Sequence, residues 1–249
     1  MKRIRARAAL GGTALGGTAL AIALAVTPQA GLGAASATST GIEVMVVFRS
    51  GAASARTVGL EGVRVRVGDK RCAVPGRSAL AALVRSRPGA IGLADYGSCS
   101  RRANDASGLF VRSIRSERNR GQNGWVYKVG HKLATAGAGD PAGPFGRGRL
   151  RSGQRVTWFY CLYRSGCQRT LALRAQPVGG GLLSVRVRGY DDAGKGVVVE
   201  GAKVSAGGQV AATDESGNAQ LRLTPGRHTV RATKPGLARS FGERVTVGP

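Results

Sequence analysis

Two stretches of this sequence alternate valine with arginine: Val63-Arg64-Val65-Arg66-Val67 and Val185-Arg186-Val187-Arg188. Only an extended chain puts all the valines on one face and all the arginines on the other, because successive strand side chains point to opposite sides. A looser form of the alternation runs through Ile42, Val44, Val46 and Phe48, and again through Leu183, Val185 and Val187. A helical period occurs once, in Leu80, Leu83 and Val84 at i, i+3 and i+4. Ser78 is placed to cap that segment and Pro88-Gly89 to stop it. The expected fold class is therefore mainly β with one short helix. Forty glycines in 249 residues supply the turns that many short strands need. The 42% of apolar residues suffices for small cores and is too high for a wholly disordered chain.

The first segment reads as an address. Lys2, Arg3, Arg5 and Arg7 precede an apolar stretch from Leu15 to Val26, Pro28 breaks it, and Ala35-Ser36-Ala37 has the small-x-small form of a cleavage site. Residues 1–37 are expected to be a signal peptide and the mature chain to be secreted and extracellular, with no stable membrane anchor. Export makes Cys72, Cys99, Cys161 and Cys167 an even set in an oxidising compartment, hence disulfide candidates. Three pairings are possible. Cys161 and Cys167 bracket a loop containing Gly166, and joining them leaves Cys72 with Cys99. No C-x-x-C pair exists, and His131 and His228 lie far apart, so no metal is expected.

Losing the leader removes four cations from the formal +25 and leaves +21. Such a charge favours anionic partners, although most arginines sit singly on outer strand faces. Arg112, Arg115, Arg118 and Arg120 form the densest cluster and the candidate anion patch, suited to an anionic surface. Nucleic acid is not an expected partner for an exported chain.

Strand signals fall into two blocks. In the first, the helix of residues 78–85 is followed by strands at Leu109–Arg115, Gly124–Val129 and Val156–Cys161, with a Gly/Pro-rich loop over 137–148. Gly124-Trp125-Val126-Tyr127-Lys128-Val129-Gly130 resembles the G-W-x-Y-x-V-N-G signature of the transcobalamin carboxy-terminal-like family. Leu150-Arg151-Ser152-Gly153-Gln154-Arg155-Val156-Thr157-Trp158-Phe159-Tyr160 resembles that family's closing strand. Gly130 stands where the family has Asn, and Gln154 where it has an acid. The resemblance implies a β-grasp-like α+β domain over residues 41–173 that binds a soluble ligand, a small molecule or a cell-envelope polymer. It also places the helix after the opening strands. From the period of two, Trp125 and Tyr127 share one strand face, and Trp158 and Tyr160 share another. Facing each other, these rings would make an aromatic surface for a flat or sugar-like ligand, or the core of a small sheet.

A Gly/Pro stretch over 174–181 is expected to be a flexible linker. Beyond it, Gly201-Ala202-Lys203-Val204, Thr213-Asp214-Glu215-Ser216-Gly217-Asn218-Ala219 and Lys234-Pro235-Gly236 resemble the carboxypeptidase regulatory-like family. That likeness implies a small all-β sandwich over 182–249, serving as a spacer or adhesion module.

Catalytic constellations are not expected. No G-x-S-x-G elbow is present, and the two histidines fall in different blocks. Asp191 and Asp192 sit together on a predicted turn, and Gly189 to Gly196 nearly spells a phosphate loop but ends in Gly where Ser or Thr is needed. The expectation is a secreted, non-catalytic binding protein without cofactor. A structural or adhesive surface protein, or an accessory subunit of an extracellular enzyme, is the alternative.

Overall fold

A computed structural model describes residues 40–248; the expected signal peptide lies outside the described residues. The chain begins with strand β1 (Ile42–Val47), which turns through Gly51 into antiparallel β2 (Ala53–Val58). Ile42, Val44 and Val46 face the main core of the first block, while Met45 and Val47 face a different cluster on the opposite side. Both faces of β1 are thus covered, which explains its nearly unbroken apolar sequence.

The valine–arginine repeat forms β3 (Val63–Val67), paired in a tight hairpin with β4 (Lys70–Val74). Next comes α1 (Ala79–Ser86), as the single helical period requires. The Ser78 hydroxyl accepts the Ala81 N–H at 3.2 Å and donates to the Pro75 carbonyl at 2.7 Å, closing the helix start. At the other end Arg87 adopts a left-handed conformation, and its N–H returns to the Val84 carbonyl. Leu80 and Leu83 are fully buried, each contributing about 2 kcal/mol through removal of apolar surface from water.

Strands β5 (Ile91–Asp95), β6 (Leu109–Ile114) and β7 (Glu117–Arg118) make a small antiparallel sheet, with a 3₁₀ turn over Ala103–Gly108 between the first two. Then β8 (Gly124–Val129), β9 (Lys132–Leu133) and β10 (Arg155–Cys161) complete the principal sheet, whose order is β2-β1-β10-β8-β9. Its β1 and β10 run parallel, and every other neighbouring pair runs antiparallel. The long loop between β9 and β10 contains no strand or helix, as its glycines and prolines imply.

Residues 174–181 are not a flexible linker. They lie in β11 (Thr170–Gly179) and in the turn leading to β12 (Leu182–Tyr190), and the two strands pair from Thr170–Tyr190 to Gly179–Leu182. Leu173 and Ala175 pack on the second core, which holds the strand down. Pro177 is accommodated where the register shifts near the strand end, and Gly180 and Gly181 supply the positive φ of the turn. The second sheet system therefore starts at Thr170, inside the stretch assigned above to the first block.

Six further strands follow: β13 (Gly196–Val198), β14 (Lys203–Ala206), β15 (Gln209–Ala212), β16 (Asn218–Arg222), β17 (Gly226–Thr233) and β18 (Glu243–Val247). One sheet holds β11, β12, β13 and β16; the other runs β15-β14-β17-β18. Leu183, Val185 and Val187 from the first and Val204, Val230 and Ala232 from the second meet in one core, making a β-sandwich. The turn before β16 joins the two sheets, and its residues hold it as their types suggest. The Asp214 carboxylate accepts the N–H groups of Ser216 and Asn218, and Gly217 takes φ +75°.

The two blocks pack on each other. Met45, Val47, Phe159 and Cys161 on the back of the principal sheet meet Ala238 and Phe241 from the β17–β18 connection. Polar contacts tie the same junction. The Lys128 ammonium donates to the carbonyls of Tyr190 (3.0 Å) and Asp191 (2.9 Å) and lies 3.3 Å from the Asp192 carboxylate. Arg155 bridges Glu43 in β1 and Glu243 in β18. Among the described residues no helix is long and apolar enough to cross a membrane.

Candidate functional site

The alternation in β8 and β10 sends four rings to one face of the principal sheet, and the register sets Trp158 opposite Tyr127 and Tyr160 opposite Trp125. Tyr127 and Trp158 stack at 4.9 Å, while Trp125 meets both Tyr160 and Phe48 edge to face at 5.8 and 5.6 Å. The rings do not form an open platform: all four are buried, Trp158 at 1% exposure. They share one core with α1, β5 and β6, and the packing of those elements over the sheet closes the face that the strand pattern alone leaves open.

Their polar tips are treated unequally. The Trp125 indole N–H donates to the Glu117 carbonyl at 2.9 Å, the Tyr160 hydroxyl to Arg118 at 2.9 Å and the Tyr127 hydroxyl to Ala136 at 3.0 Å. The Trp158 indole N–H, alone of the four, has no hydrogen-bond partner among the described residues. Burial, reinforced by the nearby Asp140 charge, holds the Tyr127 phenol far above its ordinary range, so it stays neutral.

Beside these rings lies a cleft of about 180 Å³ between β6, β8 and residues 133–138. Trp125, Tyr127 and Trp158 line it together with Leu109, Val111, Leu133 and three alanines. Phe110 stands at this cleft, 44% exposed, and its ring lies 5.9 Å from that of Tyr96, which is 78% exposed. An apolar hollow thus continues into an exposed aromatic pair. Sequence reasoning missed Phe110 and Tyr96. Phe110 carried a signal, since it occupies the outward position of a strand whose neighbours Leu109 and Val111 turn inward.

Arg112, Arg115, Arg118 and Arg120 are all exposed around the β6–β7 turn, with no ion pair to a carboxylate among the described residues. The turn draws Arg112 and Asn119 together through a backbone hydrogen bond of 2.9 Å. Arg115 lies 4.5 Å over the Phe48 ring, and Arg49, outside the predicted cluster, lies 5.3 Å over Tyr160. The cluster therefore borders one end of the aromatic core.

A second cleft, about 450 Å³, opens where the two blocks meet and is lined by His131, Lys132, Arg155, Phe145, Phe241 and Glu243 among others. Arg155 is already engaged by its two glutamates. His131 stacks flat on Tyr190 at 3.6 Å, and burial plus the positive charges of Lys128 and Arg155 push its pKa down. It is an exposed imidazole with one face covered by the Tyr190 ring.

The cysteines pair as Cys72–Cys99 and Cys161–Cys167, with Cα separations of 5.4 and 5.1 Å. The first ties β4 to the segment after β5, and the second closes the loop that leaves β10. Each cross-link typically adds about 2–4 kcal/mol by restricting the unfolded chain, and both fit an oxidising environment.

Comparison with known protein families, with curated proteins and with solved structures finds no match to this chain.

Proposed function

We propose that this chain is a secreted, non-catalytic binding protein whose first block, a β-grasp module of the transcobalamin carboxy-terminal-like kind, takes the apolar end of a small molecule. The β-sandwich, of the carboxypeptidase regulatory-like kind, buttresses the module from behind. The observation that carries this reading is the unpartnered indole N–H of Trp158, buried in a residue that lines an apolar cleft. Leaving such a donor unbonded costs about 1–3 kcal/mol, which a ligand acceptor recovers. A cleft of about 180 Å³ lies below the usual range for whole drug-sized ligands, so it suits an end group carrying one acceptor. The one titratable side chain in its lining is Tyr127, whose proton is tied to Ala136, and this favours binding over catalysis. Export is supported by the leader-like segment and by the two disulfides.

The competing reading, a structural or adhesive module without a small ligand, is favoured by the depth at which the rings are buried. Calorimetric titration with acetophenone and with ethylbenzene, its counterpart without the carbonyl, separates the two. The binding reading predicts about tenfold preference for acetophenone, the equivalent of one added hydrogen bond, and equal affinities for both in Trp158→Phe. No saturable binding of either compound favours the structural module.

A further inference from the structure

The inward valines of β3 are only half-buried, although their period of two marks them as core residues. The hairpin of β3 and β4 forms a sheet of its own, and β5, β6 and β7 form another. Between the two sheets, over the last turn of α1, runs a groove of about 350 Å³. Val65, Val84, Ile91 and Leu93, all half-buried, give it an apolar floor, and Arg64, Arg66 and Arg87 also line it.

These three exposed arginines are poorly neutralised. Arg85, on the same helical turn, is engaged by Glu61 at 2.8 Å, whereas the one carboxylate near Arg66 is the fully exposed Asp69 at 3.9 Å, and its Nε donates to the Gly68 carbonyl at 3.1 Å. Among the described residues, no carboxylate lies within ion-pairing distance of Arg64 or Arg87. Arg87 carries a second mark. Of the described residues with positive φ, twenty are glycines and the other three are all arginines: Arg77, Arg87 and Arg115. The left-handed position after a helix is the usual place for Gly, and a side chain there strains the backbone. A chain that meets this need with glycine almost everywhere else keeps a guanidinium at this groove. Arg115, likewise strained, stands beside Gly89 on the same rim and donates to the Pro88 carbonyl at 2.7 Å.

We propose that this groove is a binding site for a single-chain anionic amphiphile. The apolar chain lies along Val65, Val84, Ile91 and Leu93, and the carboxylate, sulfate or phosphate head is held by Arg64, Arg66 and Arg87. Guanidinium groups bind such heads through paired, charge-assisted hydrogen bonds. A groove of this size lies at the lower end of ligand pockets and suits one chain. The site is separate from the Trp158 cleft and does not depend on it.

The test is calorimetric titration with dodecyl phosphate below its micellar concentration, with dodecyl maltoside and inorganic phosphate as the uncharged-head and head-only controls. Saturable one-to-one binding of dodecyl phosphate, at least tenfold tighter than either control, is expected. Arg87→Gly is expected to keep or raise the melting temperature while weakening that binding at least tenfold. The exposed double variant Arg64→Gln/Arg66→Gln is expected to weaken it similarly, and Trp158→Phe to leave it unchanged. The proposal is overturned by equal affinity for dodecyl maltoside, by absence of saturable binding, or by unaltered affinity in both arginine variants. Loss of binding in Trp158→Phe assigns the amphiphile to the other cleft and equally overturns it.

Discussion

Lys128 has 0% of its side chain exposed and still carries an ammonium group, because three oxygens from the second block surround it. A buried charge persists only when it is hydrogen-bonded and compensated: two carbonyls accept its protons and the Asp192 carboxylate, 3.3 Å away, supplies the opposite charge. Burial lowers the Lys128 pKa, while the nearby Asp192 charge and hydrogen bond work in the opposite direction. The unfolded chain therefore holds this proton more firmly than the folded one. Stability contributed at Lys128 rises as pH climbs from the folded pKa toward the ordinary 10.5, and is flat below both values. Lys128→Met is expected to cost about 2–4 kcal/mol at pH 7, since it strips two buried carbonyls of their donor. Denaturant titrations of both proteins at pH 7 and pH 10 check this: the gap should widen at the higher pH, and an unchanged gap contradicts the assignment. None of this was legible in the sequence. A lysine between Tyr127 and Val129 reads as the outer face of a strand, and only packing of the second block against Val126 and Phe159 makes that face internal. The run from Val156 to Cys161, apolar except for Thr157, was the one hint that both faces of β10 are covered.

Among the elements, α1 was the easiest to read, because its signals are local. A serine cap, a period of 3.6 and a stop at Pro88-Gly89 lie within a dozen residues, and the helix forms within one residue of the expected bounds. Ser78→Ala is expected to destabilise the protein by about 1 kcal/mol, because the Ala81 N–H and the Pro75 carbonyl then lose their shared partner. A thermal or urea unfolding curve measures it directly, and a loss below about 0.3 kcal/mol would show the cap to be dispensable. Strand β11 was misread for the opposite reason. Its local composition, with Gln176, Pro177 and three consecutive glycines, signals a joint, while the force that orders it is non-local. That force comes from Leu173 and Ala175 against the sandwich core and from the ladder with β12. Packing against a core built from strands far along the chain overrides local propensity in just this way. The aromatic strands show the same division. Their period revealed which rings share a face, but not that α1 and β6 lie over that face.

At the level of the whole molecule, both blocks act as one body from residue 40 onward, joined by Arg155, Lys128 and the Met45–Phe241 cluster. Two disulfides stiffen the loops around the first block. Such a frame can hold a small apolar cleft open and keep one indole donor unpaired, since α1, the principal sheet and the long loop constrain its walls from separate directions. With two tryptophans in the chain, the donor is directly observable. The decisive measurement follows the two indole ¹⁵N–¹H resonances by NMR during titration with acetophenone, assigned through Trp158→Phe. The Trp158 signal is predicted to move and saturate as its N–H gains an acceptor, while the Trp125 signal, already bonded to Glu117, stays in place. A Trp158 resonance that remains still at ligand saturation would contradict the account.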